Sequence, residues 1–138
     1  MNALKTIFTM ALLFGAVTFS FAQDLQLKKV GKKFGYENSK GKMVIKAIYD
    51  NAEEFSDGWA KVNLGAVESD IIGLLDGNWG VINHLGEIIV PIEYDGVNYY
   101  ADQKLFQAMK DNKAYFYNKK GKLVKVQDYQ MFLDLEGL

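Results

Sequence analysis

Trp79-Gly80-Val81-Ile82-Asn83-His84-Leu85-Gly86-Glu87-Ile88-Ile89-Val90, closing on Glu93-Tyr94-Asp95, sets two short apolar runs around an Asn-x-x-Gly step. Val, Ile and Trp favour the half-buried surface of a strand, and neither run is long enough for a stable helix. Between them, Asn83 suits the first position of a type I turn, where its side chain accepts backbone hydrogen bonds. Gly86 suits the left-handed position that ends such a turn. The stretch predicts an antiparallel hairpin with residues 83–86 as its tip.

The same grammar stands 45 residues earlier, at Phe34-Gly35-Tyr36-Glu37-Asn38-Ser39-Lys40-Gly41, ending in Tyr49-Asp50. It returns 35 residues later at Ala114-Tyr115-Phe116-Tyr117-Asn118-Lys119-Lys120-Gly121, with Tyr129 in the place of Tyr49 and Tyr94. Self-similarity of this kind marks a repeat architecture. The stretch from Leu64 to Gly73, with loop-like ends, has about the length needed to account for the longer first spacing. A third strand per copy follows the Tyr-Asp corner, at Trp59–Val62 and Leu105–Met109.

The chain is therefore read as all-β: an antiparallel meander of three-stranded repeats at about 31–63, 76–109 and 111–138, in one domain over 23–138. Leu25–Val30 precedes Phe34 as Leu105–Met109 precedes Ala114. It is expected to pair with the last repeat near Leu123–Val126 and cover a free sheet edge. A small barrel, a partial propeller and an open array are all compatible with this pattern.

Composition narrows the chemistry. The 138 residues contain 49% hydrophobic and 24% charged side chains, the balance of a packed globular domain. All 16 basic residues are lysines, so the guanidinium fork that reads guanine and clamps phosphate is missing, and nucleic acid is not an expected partner. There is no Cys and one His, His84, which leaves no thiol nucleophile and no His pair for zinc. No metal or other cofactor is expected. Charge is segregated: residues 47–102 carry eleven acids against Lys61 alone, while both flanks are basic. With so many acids, close carboxylate pairs arise without marking a glycosidase-like site.

The N-terminus reads as a removable leader. Lys5 supplies a positive region, Ile7–Phe19 a mostly apolar stretch, and Ser20-Phe21-Ala22 a small-x-small cleavage pattern. The apolar run falls short of the ~20 residues a spanning helix needs. Cleavage after Ala22 is expected, giving a periplasmic or secreted domain with no membrane span.

These residues resemble the WG (KWG) repeat family, whose units run Gly-Lys-Trp-Gly, an aromatic-Ile-Asp/Asn step, then Gly, Val-Ile-Pro and Tyr-Asp. The resemblance is carried by Gly77-Asn78-Trp79-Gly80, Ile82-Asn83, Gly86, Val90-Pro91 and Tyr94-Asp95, and by Tyr49-Asp50 in the first copy. It implies short β-rich repeats, found mostly in bacterial and often exported proteins, with interaction roles and no shared enzymatic activity. No catalytic residue is carried over. The chain departs from the pattern where Phe34 replaces Trp and where Ala114-Tyr115 replaces Trp-Gly, which moves the large side chain to the other strand face.

The expected function is a non-catalytic module that binds protein through strand edges or an aromatic surface, with Trp59, Tyr99, Tyr100, Tyr115 and Tyr117 as candidate ligand-binding residues. Carbohydrate binding by the same aromatics is the alternative, and a small acid-pair hydrolase a second one. Structural roles are assigned to Phe34, Gly35, Trp79 and Gly80 in the strands, and to Asn38, Gly41, Asn83, Gly86, Asn118 and Gly121 in the tips. Tyr49, Asp50, Tyr94 and Asp95 are given to the corners. Monomer and edge-paired oligomer both remain open.

Overall fold

Asn38, Asn83 and Asn118 each accept two backbone N–H bonds at 2.9–3.0 Å, from the second and fourth residues after them. Gly41, Gly86 and Gly121 follow with φ of +74°, +79° and +81°, and each donates its N–H to the carbonyl of its Asn. One local chemistry thus closes three hairpins. The computed structural model describes residues 24–128; the expected leader and the segment from Tyr129 onward lie outside it.

Among the described residues every element is a strand or turn, and all pairings are antiparallel. The first sheet contains β1 (Gln26–Val30), β2 (Lys33–Glu37) and β3 (Met43–Tyr49), in that order. β4 (Asn51–Ala52) and β5 (Trp59–Leu64) start the second sheet. A two-stranded hairpin of β6 (Val67–Ser69) and β7 (Gly73–Leu75) then interrupts it, and β8 (Asn78–Asn83) and β9 (Ile88–Tyr94) complete it. The third sheet runs β10 (Gly96–Tyr100), β11 (Leu105–Lys110), β12 (Lys113–Asn118), β13 (Leu123–Asp128). The stretch between Leu64 and Gly73, read as an insertion, forms most of the β6–β7 hairpin.

Sheet boundaries fall inside the sequence repeats. Each four-stranded sheet takes the closing strands of one repeat, β4–β5 or β10–β11, and the opening hairpin of the next, β8–β9 or β12–β13. The chain changes sheet at the Tyr49-Asp50 and Tyr94-Asp95 corners, where a single residue separates consecutive strands. Every internal repeat is therefore shared between two sheets, and neighbouring sheets are tied by covalent continuity as well as by packing.

The expected closure by the N-terminal strand is corrected. β1 pairs with β2, Gln26 opposite Glu37 and Val30 opposite Lys33, and β13 pairs with β12. The two-residue connection Gly31-Lys32, with Gly31 at φ +62°, brings β1 straight back on β2. That local pairing closes a very short loop, whereas pairing with the last repeat would order a far longer one. The sheets form an open array, and no barrel closes among the described residues.

Two cores lie between successive sheets. Leu25, Tyr36, Ile45 and Tyr49 of the first sheet pack on Ala52, Ala60, Val62 and Ile82 of the second. Val81, Ile89, Val90 and Tyr94 on the second sheet's other strand face meet Val97, Phe106, Ala108 and Tyr117 of the third. The Trp-Gly step serves this stacking. Phe34 pairs with Tyr49 and Tyr36 with Ile45, so the intervening Gly35 faces a bulge of three residues in β3. Trp79, Gly80 and Val81 repeat the arrangement against β9. A Cβ on Gly35 would lie 2.5 Å from the Ile45 carbonyl oxygen, and one on Gly80 2.6 Å from that of Val90, so glycine is required at both. The third copy has Tyr115 at this position and pairs it one-to-one with Val126.

Candidate interaction surface

The five aromatics singled out in the sequence divide among three places. Trp59 and Tyr99 meet at 5.1 Å between ring centroids, with Phe106 beneath both at 5.0 and 4.9 Å. Both are partly buried against the second core, and Trp59 Nε1 is buried without a hydrogen-bond partner. Lys119, from the third hairpin tip, lies 5.3 Å above the Tyr99 ring and forms an ion pair of 2.5 Å with Asp57. Its hydrogen bond to Asp57 raises the ammonium pKa above the ordinary lysine value.

Tyr115 and Tyr117 both pack on Tyr94, at 5.3 and 6.0 Å. Tyr117 is buried, and its hydroxyl meets that of Tyr94 at 2.5 Å. Burial comes first, and that hydrogen bond second, in pushing the Tyr94 phenol well above the usual tyrosine range. Tyr100 points to the opposite face of β10 from Tyr99, is 40% exposed, and donates to Gln107 Oε1 at 3.1 Å. A sugar-stacking platform needs exposed coplanar rings, but the Trp59–Tyr99 and Tyr94–Tyr115 pairs are tilted by 52° and 54° and sit between sheets. Their contacts are those of a core.

The corner carboxylates do structural work of different kinds. Asp50 forms an ion pair with Lys33 and accepts the Gly65 N–H at 2.6 Å, tying the first sheet to the start of the insertion. The Lys33 hydrogen bond, then that of Gly65, lowers its pKa below the usual aspartate value. Asp95, the matching residue in the second copy, donates its backbone N–H to the Met109 carbonyl and helps line a shallow hollow with Asn51, Asp76 and Trp79. A cleft of about 330 Å³ beside Asp50 is lined by Lys29, Lys32, Lys33 and Phe34 on one side and Val67, Glu68 and Leu74 on the other. Among the described residues no three His, Asp or Glu side chains converge as metal ligands would.

Sequence reasoning missed the most exposed strand. All six residues of β13 are exposed, including Leu123 at 44%, Val124 at 54% and Val126 at 47%. In the comparable strands the next repeat buries Ile45 of β3 and Ile89 and Val90 of β9, while Val44 and Ile48 of β3 stay exposed. A Cβ on Gly86 of the second tip would lie 3.6 Å from Ile45 of β3, and one on Gly121 of the third tip 3.0 Å from the Ile89 oxygen of β9. β13 holds the same place in the third copy, and among the described residues no fourth tip lies over it. The alternation of the repeat held the signal: the residues of β13 stand where Ile45 and Ile89 receive a tip in the earlier copies.

Antiparallel hairpin repeats, stacked by the tip of one copy on the strand of the one before and linked through shared sheets, define a β-repeat scaffold. The family model described as "WG containing repeat" matches residues 34–66 and 79–113. The chain belongs to the WG-repeat proteins. Nothing among curated proteins or solved structures matches it.

Proposed function

We propose that this WG-repeat protein is an exported, non-catalytic interaction module that binds another polypeptide at the exposed edge and apolar side chains of β13. The observation that carries the reading is the exposure of β13 set against the burial of Ile89 and Val90 in its counterpart β9. An unpaired strand edge offers a row of backbone donors and acceptors, and alternate side chains supply selectivity when an extended peptide adds to it. Export is supported by the leader-like residues 1–22. The acid-pair alternative needs a carboxylate held protonated in a cleft, and Asp50 is shifted the opposite way.

Peptides selected from a random display library on the purified chain test the reading, with binding mapped by amide chemical shifts. Enriched peptides that move the resonances of Leu123–Asp128 support it. Peptides that map elsewhere, or glycan-array binding abolished by Trp59→Ala, overturn it. N-terminal sequencing of chain recovered from a bacterial periplasm tests export, with Gln23 as the expected first residue.

A further inference from the structure

The turn of the β6–β7 hairpin carries Ile71, 91% exposed, and Ile72, 68% exposed, more than any other large apolar side chain described. Hairpin turns favour Gly, Asn, Asp and Ser, which supply positive φ or cap the backbone. Here Gly73, at φ +79°, and Ser69, whose Oγ accepts the Ile71 N–H at 3.4 Å, already fill those roles. Nothing in the folding of the hairpin calls for two adjacent isoleucines in water. The hairpin is also absent from the other copies and falls between the two stretches that the family model matches. It is an addition of this chain to the repeat, tipped with apolar side chains.

Charge narrows what it fits. From Leu64 to Asn78 the chain carries Glu68, Asp70 and Asp76 and no lysine, a poor composition for an anionic membrane surface. A basic, apolar counter-surface is present on the chain itself. β13 presents Val124, Lys125 and Val126 with Lys122 just before it, and residues 103–128 hold seven lysines against two acids. The exposure of both patches means that within one chain neither covers the other.

We infer that the hairpin tip of one copy, Ile71 and Ile72 with Asp70, docks on β13 of a second copy, against Val124, Val126 and Lys125. The inference rests on the reading of β13 as a polypeptide-binding strand and names its partner. Because tip and strand are different surfaces, the contact is heterologous. Each bound copy leaves one tip and one strand available, and assembly proceeds head to tail.

Sedimentation velocity on the chain purified after export, across a concentration series into the millimolar range, tests this. The average mass is expected to rise with concentration. Ile71→Asp with Ile72→Asp should weaken association about tenfold or more, as loss of a central apolar anchor does, and Val124→Asp should do the same. Mixing these two variants should restore a one-to-one dimer, since each brings the half the other lacks. Asp70→Lys and Lys125→Glu should each weaken assembly and together recover it, which keeps the test open even where Val124→Asp impairs folding. A single-chain mass at every concentration, or a failure of the two variants to combine, overturns the inference. If the chain stays monomeric while selected peptides still map to β13, self-docking falls and the polypeptide-binding reading stands; if neither occurs, both fall.

Discussion

The hydroxyls of Tyr94 and Tyr117 meet at 2.5 Å inside the second core and join the corner of one repeat to the opening strand of the next. Tyr94 is the Tyr of a Tyr-Asp corner, so the residue that turns the chain into a new sheet also bonds to that sheet. In the first copy the corresponding Tyr49 is equally buried. There Tyr36 supplies the inter-element bond instead, donating its hydroxyl to the Glu53 carbonyl at 2.6 Å.

Tyr94→Phe keeps the ring and leaves the Tyr117 hydroxyl buried without its partner. A loss of about 1 kcal/mol in urea unfolding at neutral pH is expected. The tyrosine pKa is raised on folding above its unfolded value of 10.0, so the stabilising contribution is present below pH 10.0 and is lost as pH rises beyond it. Wild-type stability should therefore fall above that pH, and the fall should be shallower in Tyr94→Phe.

Gly80→Ala places a methyl group 2.6 Å from the Val90 carbonyl oxygen and 2.7 Å from Ile92 Cα, both backbone atoms of the bulged strand. The strands must separate, and a cost of about 3 kcal/mol is expected. At Gly96 an added Cβ meets nothing within 4 Å, and Gly96→Ala should change stability by no more than about 0.5 kcal/mol. Thermal melts of the two variants side by side check the contrast.

Trp59→Ala removes the ring that spans Tyr99 and Phe106. Expected is a loss of about 3 kcal/mol from the cavity left behind, with peptide binding at β13 unchanged in the fraction that remains folded. Full stability together with lost binding would instead make Trp59 a ligand contact.

Asp50→Asn weakens the ion pair with Lys33 and the charge-assisted bond from Gly65, costing about 1 kcal/mol at neutral pH. The aspartate pKa is lowered on folding from 3.8, so its contribution is present above 3.8 and disappears as pH falls through the lower folded value. Wild type and variant should converge in stability once the pH lies below that lowered folded value. A difference that persists there would mean that shape, not charge, holds the insertion against the first sheet.

Much of the fold was legible because its signals are local. Asn38 and Gly41, three residues apart, make their tip from their own backbone, and the same spacing works at Asn83 and Asn118 wherever the chain goes next. The candidate site was far less legible. Trp59 and Tyr99 read as part of an exposed aromatic surface because amphipathic aromatics favour interfaces and Trp59 stands outside the repeat pattern. Their burial follows from Phe106 and the stacking of the third sheet on the second.

The sequence by itself determined the three Asn-x-x-Gly hairpins, the antiparallel strands and the corners, since each depends on the conformational preferences of a few adjacent residues. Tertiary structure alone decided that each repeat is divided between two sheets, that Leu25–Val30 turns back on its own neighbour, and that β13 and the tip of the insertion face solvent. The physical reason is that a strand's two edges and two faces are chemically alike until other strands occupy them. Which ones are filled is set by the loop-closure entropy and apolar burial of the whole stack.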